Sequence, residues 1–99
     1  MMTKTYVVQI GNSDDKLGQN EWAVFCDQAQ LLIQQWGGEI HFSGASYPTA
    51  EWQNAAWVFN MRTSFLDALV DGLRGLCAQF RQDSIALTEG TTSFIQKGV

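Results

Sequence analysis

Apolar residues in this chain recur with two different periods, and the order in which those periods alternate limits its fold more than any motif does. "TYVVQI", residues 5–10, is β-branched and aromatic and reads as a strand. In "GQNEWAVFCDQAQLLIQQWGG", Trp22, Phe25, Cys26, Ala29, Leu32, Ile33 and Trp36 return at i, i+3, i+4, i+7 spacing, which lines one side of a helix. Gly37 and Gly38 suit the left-handed turn that closes it. "EIHF" alternates polar and apolar, with Ile40 and Phe42 expected on one side and His41 on the other. After the turn-rich "SGASYPTAE", the run "WQNAAWVFNM" puts Trp57, Phe59 and Met61 on one face and Ala56 and Val58 on the other. A second helix is expected from Ser64, with Asp67 completing a capping box. Its apolar stripe is Phe65, Leu66, Leu69, Val70, Leu73, Leu76, Cys77 and Phe80. "DSIALT" is the last main strand, and "TTSFI" is a candidate extra strand pairing with it.

The order is β-α-β-β-α-β. "YVVQI" and "AAWVF" are apolar on both faces, whereas "EIHF" and "SIAL" are apolar mainly on one. Strands 1 and 3 should therefore be central and strands 2 and 4 outer. This is an α+β, ferredoxin-like two-layer sandwich: an antiparallel sheet of order 4-1-3-2 with right-handed crossovers and both helices on one face.

At 99 residues the chain has room for a single domain, residues 1–99. Hydrophobic residues make up 45% and charged residues 16%, so the chain can build a core, and neutral Gln and Asn carry much of its polar surface. The net charge is −4, with six basic residues scattered along the chain. That argues against a phosphate-backbone ligand, whose affinity needs clustered Lys and Arg. No apolar run approaches the roughly 20 residues of a membrane span, and no signal-peptide pattern opens the chain. A cytoplasmic protein with neither nucleic-acid nor membrane partner is the expectation. Cys26 and Cys77 fall on the helical apolar stripes and read as reduced core thiols.

The densest cluster of polar groups is "IGNSDDKLGQNEW". With Gly18 as N-cap, Glu21 can reach back to its amide, and Leu17 and Trp22 form a hydrophobic staple. Asp14 and Asp15 precede a helix N-terminus, where negative charge is favoured. Neither an EF-hand nor a phosphate loop matches, and the stretch reads as a cap and turn. The topology gathers Asp14 and Asp15 at the same end as Ser43, Tyr47, Trp52, Gln82 and Asp83, which leaves a weak divalent-cation site open.

His41 is the only histidine, so two-histidine metal sites cannot be built within one chain. No acid lies at a diagnostic spacing to make it a general base. Trp22, Trp36 and Trp57 lie at core spacing, and only Trp52, beside the turn, is expected at the surface. The helices should cover Tyr6, Val8, Ile10, Ile40, Phe42, Trp57, Phe59, Ile85 and Leu87. The open face then presents Val7, Ala56, Val58 and Ala86, bordered by Thr5, Gln9, His41, Asn54, Asn60 and Thr88. A sheet face left in water usually carries polar residues at its middle, so this one is expected to meet a partner. It lacks the central aromatics and basic residues of an RNA-binding sheet.

The reading is a non-enzymatic protein-interaction module, an inhibitor or adaptor without cofactor, that binds a protein partner or forms a homodimer through Val7, Gln9, His41, Trp52, Asn54, Val58 and Asn60. The competing reading is a small ferredoxin-like dimer holding a small ligand in a cleft near His41, Asn54 and Asn60, an analogy of fold alone.

Overall fold

A computed structural model describes residues 2–12, 15–47, 50 and 52–98. The elements are β1 (Thr3–Gly11), α1 (Gln19–Gln35), β2 (Glu39–Ala45), β3 (Asn54–Arg62), α2 (Leu66–Gln79) and β4 (Ala86–Gly90). All strand pairs are antiparallel, and the sheet order is β2-β3-β1-β4. This is the expected 4-1-3-2 order read from the other edge. The strands apolar on both faces occupy the centre, where neighbours on either side leave Val7, Ala56 and Val58 half-buried even on the open face.

The helix-covered side of the sheet contributes Tyr6, Val8, Ile10, Ala55, Trp57, Phe59 and Met61 to the core, all buried. Trp22, Phe25, Ala29 and Ile33 of α1 and Leu69, Leu73 and Leu76 of α2 are buried in the same core. Aromatic pairs tie the two helices together at both ends: the Phe25 and Phe80 rings stack with centroids 4.8 Å apart, and Trp36 meets Phe65 at 6.3 Å. Gly72 lets the helices approach, since a Cβ there would lie 2.7 Å from a Leu32 methyl. The Tyr6 hydroxyl is buried without a hydrogen-bond partner, and desolvation raises its pKa above the ordinary phenol value.

Both helices end in the same motif on different residues. After α1, the Gly38 amide donates to the Ile33 carbonyl at 2.9 Å and the Gly37 amide to Gln34 at 3.1 Å, with Gly37 at φ +78°. These are the two bonds of a Schellman cap. After α2, Gln82 donates to Cys77 at 2.9 Å and Arg81 to Ala78 at 3.2 Å, but the left-handed position is Arg81, at φ +57°. A side chain there costs on the order of 1 kcal/mol of backbone strain, and the Arg81 guanidinium reaches Glu21 at 2.8 Å in partial return.

Two local expectations are corrected. The Ser64–Asp67 capping box does not form, because β3 runs to Arg62 and a 3-10 turn, Thr63–Phe65, leads straight into α2 without a side-chain cap. Ser64 lies inside the helical run, two places beyond its N-cap, Arg62. The "TTSFI" segment is not a strand: residues 91–98 have no regular secondary structure.

Candidate functional site

The open face is ordered in rows across the four strands. The middle row is Phe42, Val58, Val7 and Thr88, the next is Gly44, Ala56, Gln9 and Ala86, and Asn60, Thr5 and Gly90 follow on the other side. Val7, Ala56 and Val58 are half-buried without either helix above them. Charged residues that share this face are Glu39 and Arg62, which pair with Asn60 and Thr3 at one end. The centre is apolar, and its immediate neighbours are neutral amides and hydroxyls.

Phe42 belongs to this face, contrary to the expectation that the helices cover it. The pairing of β2 with β3 slips between Ile40 and Phe42, so Ile40 opposes Phe59 while Phe42 opposes Val58. His41 is the extra residue of a β-bulge, and the bulge turns the rest of the strand over. Phe42 is 62% exposed as a result. Its ring lies along the strand over Gly44, where a Cβ would meet ring carbons at 3.2 Å. A glycine inside a strand pattern is the sequence sign of such a bulge, and "EIHFSGA" carries it.

The expected contact residues divide into groups. Val7 and Val58 are central and adjacent. Gln9 and Asn54 stand toward the loop end, where Asn54 is engaged in the loop base: its amide nitrogen donates to the Trp52 carbonyl at 3.3 Å, and its backbone N–H donates to Ser46 Oγ at 3.1 Å. Trp52 is 54% exposed but sits off the face, on the β2–β3 connection with the exposed Tyr47. Asn60 and His41 lie at the opposite end and line a hollow of about 360 Å3 together with Thr5, Val58, Thr92 and Phe94. Thr5 donates its hydroxyl hydrogen to Asn60 Oδ1 at 3.1 Å, and its oxygen also contacts the Thr92 hydroxyl, which must then be the donor of that bond. Sequence reasoning missed Thr92 and Phe94 as parts of this end because they follow the last strand, with nothing local to say that the chain turns back.

The opening loop is a clamp rather than an obvious ligand cradle. Asn12, 3% exposed, donates through Nδ2 to the Leu17 carbonyl at 2.9 Å and to Gln53 Oε1 at 3.0 Å, and its Oδ1 accepts from the Leu17 amide at 3.0 Å. Gly18 is the N-cap of α1, and Leu17 and Trp22 are both buried. Glu21 is held below the usual carboxylate range chiefly by the hydrogen bond from Arg81, with the Gly18 amide adding to it. Asp14 lies outside the described residues. Among those that are described, no three His, Cys, Asp or Glu side chains gather as metal ligands.

Cys26 and Cys77 are unpaired and half-buried. Burial, with the Asp27 charge beside it, pushes the Cys26 thiol up to about 11. The Cys77 thiol donates to the Gln82 carbonyl at 2.9 Å, inside the cap that ends α2. Among the described residues no side chain hydrogen-bonds to His41, and no helix is long and apolar enough to cross a membrane. No protein-family model and no curated protein matches the chain.

Proposed function

We propose that the chain is a non-enzymatic, cytosolic protein-interaction module that docks through the open face of its sheet, and that the partner is a second copy of itself. The observation that carries this reading is the row Phe42–Val58–Val7, apolar and uncovered by either helix in the middle of the sheet. The surroundings favour a copy over a charged partner. Gln9, Asn54, Asn60, Thr5 and Thr88 both donate and accept hydrogen bonds, so a face made of them complements itself. A net charge of −4 opposes association, but the centre of the face carries none of it.

Sedimentation velocity over a concentration series tests the reading. The wild-type chain is expected to move from monomer to dimer, and Val58→Asp, which places a carboxylate at the centre of the face, is expected to stay monomeric with an unchanged circular-dichroism spectrum. A wild-type monomer at every concentration removes the proposal. A second reading has its own observation: the hollow bounded by His41, Asn60 and Phe94 is within the size range of small-molecule sites. A His41→Ala change that abolished binding of a small ligand while leaving self-association intact would favour it.

A further inference from the structure

We infer that residues 91–94 form a strap that the sheet carries over its own open face, with Phe94 closing on Val58, and that this strap competes with the second copy for the Asn60 end. The competition rests on the docking reading above; the strap itself does not.

The path of the chain is the first argument. Gly90 still pairs with Thr5 at the β4 edge. Two residues later the Thr92 hydroxyl is on Thr5 of β1, and two further on Phe94 borders a hollow walled by Val58 and Asn60 of β3 and His41 of β2. The segment thus leaves the outer strand β4 and passes over β1 toward β3. The two strand spacings from β4 to β3 come to about 10 Å, which four extended residues, spanning at most about 14 Å, cover with slack. Residues 91–94 therefore run across the strands rather than along them and form no ladder.

The second argument is the match between the strap and what lies beneath it. The Thr92 hydroxyl meets Thr5, which in turn donates to Asn60, and the Phe94 ring borders the hollow for which Val58 supplies an apolar floor. Phe94 is nevertheless 84% exposed, and Ile95 beside it 94% exposed. The ring stands at the rim of the hollow without filling it. Thr92 anchors the segment, and the inferred closure brings the ring from the rim over Val58.

Methyl NMR on the dilute full chain tests this directly. The expected result is cross-relaxation between the Phe94 ring and the Val58 methyls, and an upfield Val58 methyl shift that disappears in Phe94→Ala. The same variant is expected to bind a hydrophobic fluorescent dye more strongly and to dimerise more tightly than wild type. Thr92→Val, which removes the anchor, should move the Val58 shift part of the way. Unchanged Val58 shifts in Phe94→Ala overturn the strap, as does contact that appears only at concentrations where the mass doubles, since the arm would then be exchanged between copies. Dimerisation that is weakened or unaltered by Phe94→Ala overturns the competition. If every variant is monomeric, the docking reading and the competition fail together, while the Val58 signals still decide the strap because they need no partner.

Discussion

Asn12 shows how much one side chain does at the loop end of the sheet. It joins the start of the β1–α1 connection to Leu17, five residues on, and to Gln53, at the foot of β3. Replacement by alanine leaves the buried Leu17 amide and carbonyl without partners. Asn12→Ala is expected to lower stability by about 3 kcal/mol in chemical denaturation, from typical costs of unsatisfied buried groups. In sequence Asn12 reads as one turn former among several; its partner Gln53 is too distant along the chain for any local pattern to reveal it. Cys26 permits a sharper chemical check. With its thiol pushed up to about 11 against an ordinary value of 9.0, its thiolate population at neutral pH is about a hundredfold smaller than that of a free thiol. Timed alkylation followed by mass spectrometry should find Cys26 nearly inert at neutral pH. The unfolded thiol ionises first as pH rises past 9.0, so its contribution to stability is complete below that value and lost toward the folded one.

At the scale of elements, glycines report where the backbone is special. Gly75 lies within α2 with nothing within 4 Å of where its Cβ would be, so Gly75→Ala is expected to stabilise by about 0.5–1 kcal/mol through helix propensity. Gly37→Ala introduces a Cβ at φ +78° and should destabilise by about 1 kcal/mol or more. Melting temperatures moving in opposite directions for the two variants would confirm the distinction. The elements were the most legible part of the sequence. Apolar spacing located both helices, and the contrast between two-faced and one-faced strands ordered the sheet, because a central strand is flanked on both edges and its open-face residues, Val7, Ala56 and Val58, are partly shielded. What escaped was one residue of register in β2. Strict alternation assigns Phe42 to the core, and a single bulged residue, His41, is enough to reverse it. The Ser64 box failed similarly: the residue types fit a cap, but the helical run had already begun at Thr63.

For the molecule as a whole, one side of the sheet forms the core with the helices and the other presents Val7, Ala56 and Val58 without a helix above them. Val7 and Val58 were legible as its centre because apolar residues interrupt an otherwise polar face; Phe94 was not, because its place depends on where the chain goes after Gly90. Since Glu39 and Arg62 are the charged residues on that face and both lie at one end, association through it should depend weakly on ionic strength. Sedimentation at low and high salt is expected to give similar dimer constants, with slight tightening at high salt as the −4 charges on the two copies are screened. The bulge at His41 has a separate consequence for larger assemblies. It breaks the even spacing of amides and carbonyls along the outer rim of β2, so a neighbour's strand arriving there meets a hydrogen-bonding row out of step with its own. Growth into an open ribbon by adding sheet to sheet is thereby discouraged on the β2 side.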